Sequence, residues 1–362
     1  MSPDLVVHAG VMLFALSFML GLGTVFTWVE RKQSAITSDR IGANRCYVRL
    51  PFTQLKFVAW GLFHAIADGG KLLLKENFTP RTHDRACYNL APWLASVPVM
   101  LLFAVIPFGG TLQLGEHRYA MQVAQLDAGI LVVLAISGIS VLGAMLAGWA
   151  SNNKFSLLGA VRAAAQMISY ELALGLALIS MVVTYGTLDL DSMVRWQAGA
   201  LVGGLPAWGV FVQPLAFLLV LTAGIAENKR VPFDLPGCES ELIAGYYTEY
   251  SAMKMGLFML TEFIEIVVIS ALIVTVFLGG YQVPVLAASS LSNVALVLLQ
   301  IASFSLKTFL VGCFQIQIRW TLPRFRCDQL MAFGWRLLLP LAALNLIVTV
   351  CVLGFMGPGA AS

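Results

Sequence analysis

The sequence is poor in charge. Only 11% of its 362 residues are Asp, Glu, Lys or Arg, less than half of the roughly 25% usual in a soluble globular domain, which excludes an ordinary water-soluble enzyme. Neither sign dominates: Lys and Arg number 22 against 19 for Asp and Glu. With no basic run interleaved with aromatics, nucleic acid is not an expected partner. The 6 cysteines include no CxxC pair and no Cys/His cluster at metal-ligand spacing, which argues against a zinc or iron–sulfur site in this chain. There is no triad signature, phosphate-binding glycine loop or dinucleotide fingerprint. His8, His64, His83 and His117 are isolated from one another. Such a chain can move protons, bind a lipid-soluble molecule or hold partners, but has no redox centre with which to carry electrons. Nor is an internal repeat visible, which speaks against a transporter of inverted repeats.

What the sequence does have is apolar length. Hydrophobic residues make up 59% of it and the mean hydropathy is +0.84. Eight runs of the roughly 20 apolar residues needed to cross a bilayer lie near 5–29, 88–108, 127–149, 167–185, 208–226, 256–278, 292–313 and 335–356. The expected fold is an all-α integral membrane protein. It is a single polytopic domain over 1–362, with about eight transmembrane helices, a long connection at 30–87 and an acidic one at 227–255. The first run has no basic n-region and leads into Glu30-Arg31-Lys32 rather than a cleavage site, so it reads as a true span and not as a signal peptide.

An even number of spans places both termini on one side. Twenty of the 22 Lys and Arg residues, Lys307 among them, fall in the odd-numbered connections and adjoining helix ends, whereas Arg118 and Arg195 lie on the opposite side. The positive-inside rule then puts those connections in the cytoplasm and both termini in the periplasm. Within 30–87, apolar residues from Leu55 to Leu74 alternate with Lys56, His64, Asp68, Lys71 and Lys75. This predicts an inward-side amphipathic helix, lying in the headgroup plane or packed on a partner. Gly69-Gly70 should weaken or bend it.

Ionisable groups within spans are costly and are functional candidates. Glu171 lies early in the fourth predicted span, Glu227 ends the fifth, and Glu262 and Glu265 are three residues apart in the sixth, hence on one helical face. The bland alternatives are a solvated Glu227 paired with Lys229 or Arg230, and a Glu171 near the headgroups. The connection from Glu227 also carries Asp234, Glu239, Glu241 and Glu249, with Pro232 and Pro236 around Phe233-Asp234. The prolines exclude one continuous helix. If this segment is partly buried, its carboxylates cannot all ionise together, which suits a proton relay.

Long strings now become specific. Leu146-Ala-Gly-Trp-Ala-Ser-Asn-Asn-Lys-Phe-Ser-Leu-Leu-Gly-Ala-Val-Arg-Ala-Ala-Ala-Gln-Met-Ile-Ser-Tyr-Glu171, and Val231-Pro-Phe-Asp-Leu-Pro236 followed by Glu239-Ser-Glu-Leu-Ile-Ala-Gly245, closely resemble the H subunit of proton-pumping NADH:quinone oxidoreductase. That is the membrane heel of respiratory complex I, equivalent to mitochondrial NADH-ubiquinone oxidoreductase chain 1. Trp28-Val-Glu-Arg31, Asp39-Arg-Ile-Gly42, Ala67-Asp68, Tyr247-Thr-Glu-Tyr-Ser251 and Arg319-Trp-Thr-Leu-Pro323 carry the similarity from the first span to the last. The resemblance implies a helical subunit that joins the hydrophilic redox arm to the antiporter-like arm and forms much of a quinone tunnel. It places Arg31, Arg40, Asp68, Arg230 and Asp234 near that tunnel, and Glu171, Glu227, Glu239, Glu241, Glu249 and Glu262 on an acidic path toward the pumping subunits. Quinone would be the substrate, FMN and iron–sulfur clusters would sit in partner subunits, and the membrane would be the bacterial cytoplasmic (inner) membrane.

The chain departs from the family pattern in several places. Leu-Pro-Glu-Ala-Glu becomes Leu235-Pro-Gly-Cys-Glu239, Asp-Arg-x-Gly-Pro-Asn becomes Asp39-Arg-Ile-Gly-Ala-Asn44, Gln-Pro becomes His64-Ala65, and Glu265 is an additional acid. One reading of Glu265 is that it compensates for the carboxylate lost at Gly237. Three other functions compete: the homologous subunit of a membrane-bound hydrogenase or related oxidoreductase, a stand-alone proton-coupled transporter, and a purely structural anchor.

Overall fold

The computed structural model describes residues 3–49, 56–114, 117–199, 206–237, 239–283 and 292–356. In chain order the elements begin with α1 (Pro3–Thr37), a two-residue strand pair β1 (Val48–Arg49) and β2 (Lys56–Phe57), α2 (Phe63–Leu74) and α3 (Arg85–Leu102). A hairpin of β3 (Thr111–Leu114) and β4 (His117–Ala120) follows, antiparallel with Thr111 opposite Ala120. The helices then continue through α4 (Gly129–Ala150), α5 (Lys154–Tyr185), α6 (Leu190–Trp196), α7 (Gly209–Val212) and α8 (Pro214–Glu227). The last are α9 (Glu239–Leu242), α10 (Ala252–Phe277), α11 (Asn293–Thr321), α12 (Cys327–Ala332) and α13 (Leu339–Met356), the final two joined through a π-helical stretch at Phe333–Leu338.

Among the described residues, 7 helices are long and apolar enough to span a membrane. The fifth of the eight predicted spans is the exception. It divides into α7 and the 14-residue α8, because Pro214 cannot continue a preceding helix but suits the first turn of a new one. α4 nearly coincides with its apolar window and α3 stops at Leu102, short of the expected 108. Other helices overrun their windows, since hydropathy does not register polar turns that extend beyond a span. Thus α1 continues through Glu30, Arg31 and Lys32 to Thr37, and α11 reaches Thr321.

The largest shift is in α5, which starts at Lys154 rather than near 167. The Asn153 side chain caps it by accepting from the Phe155 N–H at 3.0 Å, satisfying one of the free donors at a helix start. It ends at Gly186, whose φ of 68° is left-handed, a conformation glycine adopts without a Cβ clash. With 32 residues it is about 48 Å long, and Glu171 lies near its middle.

The core sits around α10, which is buried on every side from Ile264 to Phe277. Large apolar side chains of α1, α4, α5, α11 and α13, such as Leu13, Leu142, Leu172, Leu310 and Ile347, face outward, as a lipid-embedded perimeter requires. α3 and α4 touch closely enough that a Cβ on Gly143 would stand 2.4 Å from the Ala95 amide nitrogen. α2 packs on α10 through Leu72 at Gly256 and leaves Ile66 and Leu74 exposed. It runs unbroken through Gly69-Gly70, so the two glycines do not interrupt the helix despite their weak helix preference.

The two ends of the bundle differ in charge. Arg31, Arg230, Arg319 and Arg324 gather at one, which we call the basic end. Lys307 belongs with the other. From the middle of α11 its ammonium donates to the carbonyls of Leu278, Gly280 and Gln282 at 2.9, 3.0 and 2.8 Å, just past the end of α10. A long side chain can reach a helix terminus well away from its own Cα, and the free carbonyls there attract a cation.

Candidate functional site

At the basic end, α1, α2, α10, α11 and the connection after α8 enclose a cavity of about 800 Å³. Its apolar wall includes Leu72, Met259, Leu260 and Phe263, and its charged wall includes Arg31, Asp68, Arg230, Asp234 and Glu262. Four of the five residues expected around a tunnel thus share one cavity with Glu262, which was expected on the acidic path. The fifth, Arg40, lines an adjoining space of about 770 Å³ together with Arg45 and His64, and Glu30 and Arg31 border both spaces.

Each charged group is held by a partner from another element. Arg31 on α1 pairs with Asp68 on α2, which also meets Lys71 at 3.4 Å. Arg324 pairs with Asp234 at 2.7 Å, and the Gly237 amide donates to the same carboxylate at 3.0 Å. Glu30, absent from the expected set, joins Arg230 to Arg319. Its signal was its place at the polar end of the first apolar run. Arg230 also approaches Glu262 at 3.8 Å and stacks over the Phe263 ring at 4.1 Å, leaving its buried Nε without a partner. Burial works against the charge of this guanidinium, but Glu30 and then Glu262 more than offset it, and its pKa is raised.

Glu262 and Glu265 do share a helical face, and it meets two consecutive cations. Arg230 faces Glu262, and Lys229 pairs with Glu265 at 3.2 Å with both side chains under 10% exposed, at 6% and 8%. The anticipated pairing of Glu227 with Lys229 or Arg230 does not form, because both cations are engaged elsewhere. Glu227, Asn228, Glu265, Ser137 and Ser140 instead line a small cavity of about 30 Å³. Ser137 on α4 donates to Glu171 at 3.1 Å. Gly237 faces Asp234 and the Tyr247 hydroxyl, so Glu265 does not occupy the place of the missing carboxylate.

The connection is anchored to α5. Gln166 donates to the carbonyls of Ala226 and Phe233 at 2.7 and 2.6 Å, and Phe233 stacks against Phe325 and Phe333 at 5.6 and 6.1 Å. No helix runs from Asn228 to Gly237, as the prolines required. Gly159 of α5 lies against the backbone of Gly245, where a Cβ would come within 2.8 Å. Burial raises the Tyr246 phenol well above its ordinary range and keeps it neutral.

The remaining acids stand apart. Glu241, 52% exposed, pairs with Arg162 at 2.5 Å, and Glu249 accepts from Asn153 at 2.6 Å. The side chain of Glu239 lies outside the described residues.

A family model described as NADH dehydrogenase matches residues 9–350. The chain is 41% identical to the first of the NADH-quinone oxidoreductase H subunits of Cytophaga hutchinsonii, over 94% of this chain and 95% of that one. It is 42% identical to the NADH-quinone oxidoreductase H subunit of Flavobacterium psychrophilum, over 95% of this chain and 96% of the relative. The second of the H subunits of Geobacter sulfurreducens is also 42% identical, with 98% of each chain covered. The all-α, membrane-spanning chain built around this charged cavity therefore belongs to the NADH dehydrogenase family.

Proposed function

We propose that the chain is the membrane subunit of a proton-translocating NADH:quinone oxidoreductase, and that the 800 Å³ cavity at its basic end receives the quinone. The observation that carries this reading is the make-up of that cavity. One wall is apolar and suits an isoprenoid-like tail, while Arg31, Asp68, Arg230 and Asp234 are clustered where a polar head could be held. Its volume falls within the range of small-molecule sites. The relatives' names favour NADH over a hydrogenase as the source of electrons.

The chain supplies binding and charge, while FMN and iron–sulfur clusters in partner subunits of the hydrophilic arm deliver electrons. Reduction of a quinone makes it a proton acceptor, and this changes the field at the carboxylates beside it. Glu262 and Glu227 border the large and small cavities respectively, and Glu171 lies one hydroxyl beyond the small one. Protonation shifts among these groups would pass laterally to antiporter-like subunits. The basic end would face the cytoplasm of a bacterium, with both termini periplasmic.

The test is to extract the protein gently from its native membrane and assay NADH-dependent quinone reduction. Copurification with flavin, iron–sulfur and antiporter-like subunits is expected. In the same preparation, Asp68→Asn and Arg31→Met should lower quinone reduction while sparing electron transfer from NADH to a water-soluble artificial acceptor. An isolated active chain, or equal loss of both activities in these variants, contradicts the reading.

A further inference from the structure

The pair Lys229–Glu265 is set apart from the other ion pairs by position. Lys229 lines the large cavity, Glu265 lines the small one, and they meet at 3.2 Å. The pair therefore has one group in each space. Both side chains are more than nine-tenths buried, and Glu265 satisfies only one of its oxygens. Its Oε2, like Asn228 Oδ1, is buried without a hydrogen-bond partner. Both residues border the small cavity, which is otherwise walled largely by apolar side chains, among them Val99, Leu102, Val133, Leu174, Val268 and Ile269. Two unpaired buried acceptors there are costly unless a donor occupies it. At about 30 Å³ the cavity has room for a water molecule, and Ser137, Ser140 and Glu227 add polar neighbours. From there Ser137 reaches Glu171 at 3.1 Å.

We propose that Lys229 and Glu265 couple the large cavity to the acidic path, Lys229 as a positioning residue and Glu265 as a proton-accepting relay. This rests on the quinone reading of the large cavity. When negative charge develops on the bound molecule during its reduction, the Lys229 ammonium moves toward it. Glu265 loses its counter-charge and takes a proton from water in the small cavity. An O–H bond forms at Glu265 as one breaks at the water. The hydroxide left takes the Ser137 hydroxyl proton while Ser137 takes one from Glu171, which enters the cycle as the carboxylic acid and leaves it as the carboxylate. The Ser137–Glu171 hydrogen bond thereby reverses its direction from that in the structure. The reverse steps follow when the charge in the large cavity is neutralised. The direct alternative is a purely structural pair, retained because either charge alone would be destabilising at this depth.

Three variants of the intact complex separate the two. Glu265→Gln and Lys229→Met singly leave a buried charge unpaired, and both roles predict damage. The double variant Lys229→Met/Glu265→Gln removes both charges. A structural pair predicts recovery of assembly, quinone reduction and protons pumped per electron. The relay predicts recovery of assembly only, with coupled turnover lower by roughly tenfold or more, the scale of a lost proton-transfer group. Full coupled turnover in the double variant overturns the proposal.

Infrared difference spectra of the wild-type complex on quinone reduction provide a second readout that needs no assembled double variant. A protonated-carboxyl band that shifts in Glu265→Asp is expected, and an identical spectrum overturns the relay. Asp68→Asn is measured alongside. Lost quinone reduction there, with intact coupling in the double variant, rejects the relay and leaves the quinone reading standing. Unchanged quinone reduction in Asp68→Asn strikes the quinone reading itself.

Discussion

Glu30 neutralises two arginines from distant parts of the chain, Arg230 after α8 and Arg319 near the end of α11. Its removal would leave Arg230, whose side chain is 9% exposed, with only the longer 3.8 Å contact to Glu262. Glu30→Gln should therefore destabilise the protein by roughly 3–5 kcal/mol, the cost of breaking a buried pair, read as a lower midpoint of thermal inactivation of the purified complex. Arg324 and Asp234 make the milder counterpart. With Arg324 31% exposed, solvent screens the pair, and Arg324→Gln should cost about 1 kcal/mol or less. Equal losses in the two variants would contradict this ranking.

At this scale the sequence was informative about which acids are unusual and silent about their partners. Glu262 and Glu265 declared themselves by lying in an apolar run. Arg319 and Arg324 did not, because a basic residue at a membrane boundary is ordinary and only the fold shows that it meets Glu30 or Asp234. Glu241 and Glu249 looked like members of one acidic cluster by chain proximity, yet they meet Arg162 and Asn153 on and beside the start of α5. Neighbouring positions in a proline-broken segment need not share a direction in space.

Among the elements, apolar windows located the membrane-crossing helices but not their ends. The polar extension of α5 beyond its predicted start moves Glu171 from a boundary to mid-helix, within reach of Ser137. The divided fifth span was foreshadowed by Pro214, whose effect on continuity a hydropathy average does not contain. Close packing sets two element-scale expectations. Gly143→Ala forces a methyl against the Ala95 backbone and should destabilise the α3–α4 contact by roughly 1–3 kcal/mol, measured as reduced thermal stability of the complex. Gly69 borders the large cavity and has nothing within 4 Å of the place a Cβ would occupy. Gly69→Phe should then be accepted by the fold but narrow the cavity, raising KM for quinone with no loss of assembled complex. An unchanged KM would show that α2 does not border the substrate.

For the whole molecule, the charge asymmetry read from the chain reappears as a basic end where four arginines border one cavity, with Lys307 as the exception because its long side chain serves the far end of α10. The class of fold was legible because bilayer thickness imposes helix length. The cavity was not, since it depends on residues from Thr24 to Arg324 converging through packing that no local pattern encodes. Here the family resemblance supplied what periodicity could not, naming Arg31, Asp68, Arg230 and Asp234 as residues of one region.

The central claim is that this cavity is where quinone binds. A photoreactive quinone, activated in the intact complex during NADH oxidation and mapped by peptide mass spectrometry, tests it most directly. The account predicts labelling of α2, the first half of α10 and the connection after α8, suppressed by excess native quinone. Labelling confined to the opposite end of the bundle, near α6 and the β3–β4 hairpin, or to other subunits alone, would contradict it.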